Sequence, residues 1–392
     1  MNVEHVQQYE DDGWVGIETT IGFSHWEVEP IRVRIEIPSR FRDFLAADSL
    51  ACQVGALMPA MRYEREIEWD APVPLPLVRG IREFQAAFSC YFEGFLGRPE
   101  NLFAAVADDQ ARRKGRRGVF FSSGLDSMLA TYAIASYPGY RRDEDACYLI
   151  PIIGMDLESP EIVKSVLARA EAVASDLGWD VMPMRTNLKS IVQKSTDLDW
   201  VLHSHGTVLA ACALAVRAGF DSIALGSSGR YGQISTEGSM PRTDELWMTQ
   251  DFQLLHVGAQ FSRLDKIREM KDWGAWLPNM RVCFSEKSEV NCGKCGKCVR
   301  TMFCLDALGM ADVAAASFAP VTFTELPSKV GHLWTNCSAI IPLIAEIARE
   351  YERQGRLELV RELDRLHRHL TPSPFRQVLR NLYARITRRE PW

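Results

Sequence analysis

Six residues between an apolar run and a helix-forming run concentrate the polar chemistry of this sequence: Ser122, Ser123, Gly124, Leu125, Asp126 and Ser127. Gly118 to Phe121 is short, apolar and rich in β-branched and aromatic residues, whereas Met128 to Ala135 is made of good helix formers. A turn of small residues at the start of a helix aims backbone N–H groups into one concavity at the positive end of the helix dipole. Three serine hydroxyls add further donors, so the stretch is an anion cradle suited to phosphate. A plain strand-to-helix turn, capped by Ser122 or Ser123, would use the same residues.

The second concentration of chemistry lies far downstream. Cys283 is followed by Cys292, Cys295 and Cys298, the last three inside Asn-Cys-Gly-Lys-Cys-Gly-Lys-Cys. Two overlapping Cys-x-x-Cys pairs and one upstream cysteine supply the four thiolates of a closed tetrahedral zinc site. The glycines allow tight turns, and Lys294 and Lys297 offset the charge of a tetrathiolate. An iron–sulfur cluster is the rival occupant, because thiolates of similar spacing also hold clusters. Four protein ligands leave no open position, which makes the site structural.

These groups must be positioned by a large soluble protein. The chain has 392 residues, 47% of them apolar, enough for two or three domains with a substantial core. No apolar run has membrane-spanning length, and Met-Asn-Val-Glu-His is unlike a signal peptide, so a cytoplasmic location and no membrane partner are expected. Ten cysteines without an export signal fit metal binding better than disulfides. A net charge of -6 argues against generic nucleic-acid binding. The basic segments Arg112 to Arg117 and Arg376 to Arg389 leave a specific RNA partner open, and a homo-oligomer is compatible with the composition.

Residues 1–100 read as a small β-rich module. Ile31, Val33, Ile35 and Ile37 alternate with Arg32, Arg34 and Glu36 as a half-buried strand stopped at Pro38, and Gly13 to Gly22 and Glu64 to Asp70 read as further strands. Pro72, Pro74 and Pro76 suggest a stiff connector before a helix from Leu77 to Leu96. From Gly118 strands and helices alternate: Cys147 to Gly154 and Trp179 to Met184 as strands, Pro160 to Leu177 and Gly206 to Ala218 as helices, Ser222 to Leu225 as a buried strand. That alternation implies an α/β, doubly wound parallel sheet over residues 115–310, with a helical extension over 311–392. Ligands of such sheets bind at the carboxyl ends of the strands, which aligns the cradle, the turn at Gly154 to Asp156 and the loop from Gly226 to Tyr231.

Ser-Ser-Gly-Leu-Asp-Ser resembles the Ser-Gly-Gly-x-Asp-Ser loop of the PP-loop ATP pyrophosphatases, which cleave ATP to AMP and pyrophosphate. The resemblance implies an adenine nucleotide alpha hydrolase-like fold and places Ser122, Ser123, Gly124, Leu125, Asp126 and Ser127 around the pyrophosphate. Ser123 stands where the family usually has a second glycine. Gly154, Met155 and Asp156 become candidates for the nucleoside side of ATP, with Gly226 on the facing loop; for Asp156 a helix-capping role competes.

Together with the cysteine group, the loop resembles 7-cyano-7-deazaguanine synthase over residues 115–310. That enzyme uses ATP and ammonia to turn a carboxylate into an amide and then a nitrile. Phe261-Ser-Arg-Leu-Asp-Lys-Ile looks like its Thr/Ser-Lys-x-Glu-Ile segment, making Arg263 and Lys266 phosphate-facing candidates, against the alternative of a surface helix. Gly238 to Trp247, and His203, His205 and Gly206, depart from the family's wording where it recognises substrate. The N-terminal module and the C-terminal helices are foreign to the compact synthase.

The implied reaction is adenylation of a carboxylate on a small molecule, a modified base or a protein, with release of pyrophosphate, followed by attack of a nitrogen nucleophile. Asp126 would position Mg²⁺, with Ser127, Arg263 and Lys266 beside the developing charge. Asn2 follows Met1 where glutamine-hydrolysing relatives expose a cysteine, so ammonia or an amine is the expected nucleophile. Two other readings compete. Sulfur transfer, as in PP-loop tRNA thiolases, needs reactive cysteines, yet Cys147, Cys212 and Cys304 sit in apolar contexts. A non-catalytic nucleotide-binding zinc protein is the other.

Overall fold

The computed structural model describes residues 1–3, 6–25, 29–107, 112–140, 145–155, 157–232, 236–283, 289–318 and 340–370. The chain divides into two compact units, Met1–Gln260 with Asp272–Arg281, and Phe261–Lys271 with Val282–Trp392.

The first unit is built on a five-stranded, wholly parallel sheet. Its strands in chain order are β1 (Arg116–Phe120), β2 (Ala146–Ile150), β3 (Asp180–Val181), β4 (Ser222–Gly226) and β5 (Gln253–Val257). Their spatial order is β3-β2-β1-β4-β5, the doubly wound arrangement expected from the alternation of strands and helices. The order reverses between β1 and β4, and the Ser122–Ser127 loop leaves β1 at that switch point. Helix α1 (Leu125–Ser136) follows the loop, α2 (Pro160–Leu177) runs over the expected residues, and α3 (His205–Ala215) precedes β4. Proline opens α2 behind a Ser159 side chain that accepts from the Ile162 N–H, and Gly178 ends it at φ 69°.

Two expected strands each break in two. The run from Cys147 to Gly154 leaves the parallel sheet at Ile150; after Pro151, which has no N–H to donate, Ile152–Ile153 pairs with Met184–Thr186. The run from Trp179 to Met184 divides at Met182 and Pro183 in the same way, with Met182 donating to Leu149 O and Met184 to Pro151 O. The two detached pieces join a second, six-stranded sheet whose other members are N-terminal: Asn2–Val3, Gln7–Asp11, Trp14–Gly22 and Ile31–Pro38. Arg185 stands opposite Glu36 and Thr186 opposite Ile35, so the N-terminal strands share a sheet with the α/β region instead of closing one of their own. Their first hairpin turns on Asp12 and Gly13, both at positive φ, as a two-residue hairpin loop requires.

The proline-rich connector is shorter than its composition suggests. Val73–Pro74 pairs with Val106–Ala107, and a helix starts at once, running from Leu75 to Tyr91 with proline in its first turn. The core of this unit gathers Ile31, Val33, Ile35 and Ile37, the buried face of that helix (Leu77, Ile81, Phe84, Phe88), much of α3, and residues of the parallel sheet such as Phe120, Ile223 and Leu254.

In the second unit a short helix, Arg263–Met270, and the helices Gly296–Ala307 and Ile340–Arg353 pack together, with Leu357–Leu370 against the last. The Tyr351 hydroxyl, on a fully buried side chain, donates to Asp306 at 2.6 Å. The expected C-terminal helices are therefore present; 337–339 and the basic stretch 376–389 lie outside the described residues. No helix among the described residues is long and apolar enough to cross a membrane.

Candidate functional site

The loop after β1 is held by its own serines. Phe121 N–H extends the β1–β2 pairing by donating to Ile150 O at 3.0 Å. The Ser127 hydroxyl donates to Gly124 O at 3.0 Å and receives the Ser122 N–H at 3.3 Å, while Gly124 N–H reaches the Ser122 hydroxyl at 3.4 Å. Thr131 secures the first helical turn by donating to Ser127 O. Gly124 is the N-cap residue of α1 and no side chain caps the helix. The first-turn N–H groups have no intrahelical acceptors and are the natural donors to an anion. Of the two serines that could cap a plain turn, Ser122 accepts from the N–H of the N-cap residue itself and the Ser123 hydroxyl makes no such bond. Asp126 lies half-buried in the first helical turn, Ser122 is exposed, and Leu125 is buried in the core.

Ser123 has a backbone φ of 60°, in the left-handed region, and its hydroxyl is fully buried without a partner in the protein. Its carbonyl accepts from the Arg281 N–H at 2.8 Å, which holds the strained conformation in place. A glycine at this position adopts that φ without steric cost. Ser123→Gly should therefore stabilise the protein by about 1 kcal/mol: relief of left-handed strain and of an unsatisfied hydroxyl outweighs the added chain entropy. Denaturant unfolding checks this, and a destabilised variant would mean that the hydroxyl has a partner.

Gly226 ends β4 against the start of α1. A Cβ on it would lie 2.1 Å from the Asp126 carbonyl oxygen, so only glycine lets strand and helix approach this closely. Gly154, at φ 89°, is similarly required, since a Cβ there would lie 2.0 Å from Thr186 O. Met155 follows it, buried, and its carbonyl accepts from Lys189 Nζ at 2.8 Å. Both close a turn of the six-stranded sheet, beyond the point where β2 has left the parallel one. Asp156 lies outside the described residues.

Arg263, Lys266 and the cysteines belong to the second unit. Ser262 and Asp265 form a reciprocal capping box at the start of the Arg263–Met270 helix. Arg263 Nη1 donates to Thr301 Oγ1 at 3.0 Å, and Lys266 is only 1% exposed, so the surface-helix alternative does not describe that lysine. The four sulfurs of Cys283, Cys292, Cys295 and Cys298 lie within 4.8 Å of one another. Cys283 and Cys295 are 4.0 Å apart, Cys292 and Cys298 are 3.9 Å apart, and the Cys295 N–H points at Cys292 Sγ. Buried Asn291 fixes the approach, accepting from Val282 N–H at 2.7 Å and donating to Ser317 O at 2.9 Å. Hydrogen bonding to Cys295 and burial raise the Cys298 thiol pKa when no ion is bound. Such a group can hold a metal ion.

One polar pair was not anticipated. Asp244, on the short turn Pro241–Asp244, and His256, on β5, are both buried, with His256 Nδ1 2.7 Å from Asp244 Oδ2. The only sequence signal was a lone histidine inside Leu-Leu-His-Val. His203, by contrast, is structural: its Nδ1 accepts from the Asp199 N–H at 2.8 Å, its ring stacks on Phe95, and burial lowers its pKa.

Fold and site together define an α/β protein with a doubly wound parallel sheet, an anion-suited loop at the switch point, a four-cysteine group able to hold a metal, and a helical C-terminus. No protein-family model and no curated protein matches the sequence. Among solved structures, the chain is similar to the U34-tRNA thiolase NcsA from Methanococcus maripaludis with its 4Fe-4S cluster. That likeness has 10% identity, covers 75% of this chain and 82% of that chain, and has a TM-score of 0.23. A superposition this loose carries no weight for function.

Proposed function

We propose that the chain is an ATP pyrophosphatase of the PP-loop type, adenylating a carboxylate and passing the acyl group to a nitrogen nucleophile. The observation that carries this reading is the Ser122–Ser127 loop at the switch point of the sheet, with Ser123 in the left-handed conformation that suits the family's usual glycine. A cradle of N–H groups at a helix start stabilises negative charge as it develops on departing pyrophosphate, and its donors need no reorganisation during the reaction. Magnesium, when bound, would neutralise phosphate oxygens, and Asp126 would be the carboxylate that holds it. Ser122 and Ser127 would then orient the phosphate through their hydroxyls, and Gly154 and Met155 would take the nucleoside side.

For the four cysteines the proposed ion is zinc. Metal–sulfur bonds of ~2.3 Å set tetrahedral sulfurs about 3.8 Å apart, near the closest pairs here, whereas the four irons of a cubane cluster would spread the thiolates further. Sulfur transfer is disfavoured at Cys147, Cys212 and Cys304, the three thiols weighed for it in the sequence, which leaves the exposed Cys90 as the described thiol open to solvent. Burial pushes Cys212 and Cys304 up to about 12 and Cys147 up to about 11, leaving little thiolate to carry sulfur.

The test is product identity. Pyrophosphate release, screened across deazaguanine, sugar and amino-acid carboxylates with ammonium as nucleophile, should yield AMP and pyrophosphate, and glutamine alone should not replace ammonium. ADP as the stoichiometric product would discard the reading, because the cradle complements a departing pyrophosphate. Asp126→Ala should lower the rate at least about tenfold, the loss of a charge-assisted contact. Ser127→Ala should do the same and also loosen the loop, since that hydroxyl bonds to Gly124 O; equal melting temperatures for the two variants would argue against this second role.

A further inference from the structure

Three consecutive residues join the anion loop to the cysteine group. Arg281 N–H donates to the Ser123 carbonyl at 2.8 Å, Val282 N–H donates to Asn291 Oδ1 at 2.7 Å, and Cys283 is one of the four clustered thiols. The division between the two compact units falls between Arg281 and Val282, so a single peptide bond links the residue that holds the loop to those that hold the cysteines. Two residues of chain span at most about 7 Å, which leaves the Arg281 N–H little freedom once Cys283 is fixed.

At the cysteine end of this strap, Asn291 is 1% exposed, immediately precedes Cys292 and donates to Ser317 O at 2.9 Å. The acceptor for Val282 is therefore itself anchored beside a second thiol. Cys283 and Cys292 bracket the Val282–Asn291 hydrogen bond, and an ion bound to both sulfurs would close that bracket. Without a cation the four sulfurs have no common partner: as thiols they bond only weakly to one another, and as thiolates they repel.

At the loop end, Ser123 has a φ of 60° and a fully buried hydroxyl without a partner in the protein. A left-handed serine persists only where its surroundings over-determine it, and the Arg281 N–H is part of that determination. The peptide unit it holds also carries the Gly124 N–H, which reaches the Ser122 hydroxyl at 3.4 Å. A rotation of that unit moves both parts of the loop together.

We propose that the cysteine site positions the anion loop: through Arg281, an ion held by the four thiolates keeps Ser123 left-handed and the loop in its pyrophosphate-binding shape. This rests on the reading of Ser122–Ser127 as a pyrophosphate cradle. Arg281 is a positioning residue that acts through its backbone N–H, and Asn291 positions the strap in turn. The cysteines then act on the site without touching its ligand.

The test compares the full chain loaded with zinc and stripped by a chelator, with metal content measured in each, by hydrogen–deuterium exchange and by calorimetric titration of inorganic pyrophosphate with magnesium. Stripping should speed exchange at Arg281 and in the Ser122–Ser127 loop while Ser222–Gly226 of the same unit stays protected. It should weaken pyrophosphate about tenfold, the scale of one lost hydrogen bond plus released backbone strain. Asn291→Ala, which keeps all four thiols, should weaken pyrophosphate binding by the zinc-loaded protein and serves if the stripped protein does not stay folded. Ser123→Gly should abolish the metal dependence, because glycine holds the left-handed φ unaided. A metal that only stabilised the second unit would leave that dependence in place. Unchanged exchange at Arg281 with unchanged affinity after verified metal loss overturns the proposal, as does a protein that takes up no metal, or a Ser123→Gly protein as metal-dependent as its parent. Metal loss that frees Arg281 and the loop in a protein that binds no pyrophosphate even when loaded sinks the pyrophosphatase reading and leaves the strap.

Discussion

Gly226→Ala should destroy both the fold of the first unit and any nucleotide-dependent activity. The added Cβ would meet the Asp126 carbonyl oxygen at 2.1 Å, its carbon at 2.4 Å and the Ser127 nitrogen at 2.9 Å. All three are backbone atoms, so no rotamer change relieves the overlap. β4 and the start of α1 must separate, which disturbs both the pairing of β4 with β1 and the loop between β1 and α1. Overpacking that side chains can absorb costs about 1–3 kcal/mol, and a backbone collision should exceed that range. Gly139→Ala is the control, because nothing lies within 4 Å of a Cβ placed there. Chemical denaturation of the two variants side by side checks the expectation; a Gly226→Ala protein as stable as Gly139→Ala would show that the strand and helix do not meet as described.

Loss of the proposed zinc should be the larger injury to the second unit. Val282, Asn291, Ser317 and the start of the Gly296–Ala307 helix are tied together around the four cysteines. Because ligands must lose protons and converge, binding energy at such a site is folding energy, about 10–16 kcal/mol in zinc-finger peptides. Protein purified without added metal should carry one zinc per chain and no visible iron–sulfur absorbance. A strong chelator, or Cys298→Ser, should open this unit to limited proteolysis. Unchanged protease resistance after complete metal loss would make the cysteines incidental to the fold, and a brown protein would replace zinc with a cluster.

The parts of this structure that were readable in the sequence are those where local rules and the tertiary environment agree. Pro160 to Leu177 carries its own cap, amphipathic spacing and terminal glycine, and the helix has those bounds. The Ser122–Ser127 turn was legible because small and hydroxyl residues between a strand and a helix have few other uses. The breaks at Pro151 and Pro183 were not, because the apolar runs continue through both prolines and only pairing across two sheets ends the strands. Lys266 was legible as a phosphate-facing candidate or as part of a surface helix, and its neighbours Arg263, Asp265 and Arg268 do not choose between them, because burial is decided by the helices that surround it. Asp244 and His256 are twelve residues apart, and a contact of that kind leaves no periodic trace.

The mixed membership of the six-stranded sheet bears on how the protein is made. Ile31–Pro38 is synthesised early, but its partner Met184–Thr186 comes about 150 residues later. At ribosomal rates of about 5–20 residues per second, that edge waits on the order of ten to thirty seconds for its neighbour. An unpaired, alternating edge strand is a template for aggregation during such an interval. Arg32 and Arg34, which share Glu18 of the preceding strand as their ion-pair partner, project from its exposed face between four buried aliphatic residues and leave a net positive charge that discourages a second nascent chain from docking there. The strand that later locks the two sheets together thus carries its own protection for the time it spends alone.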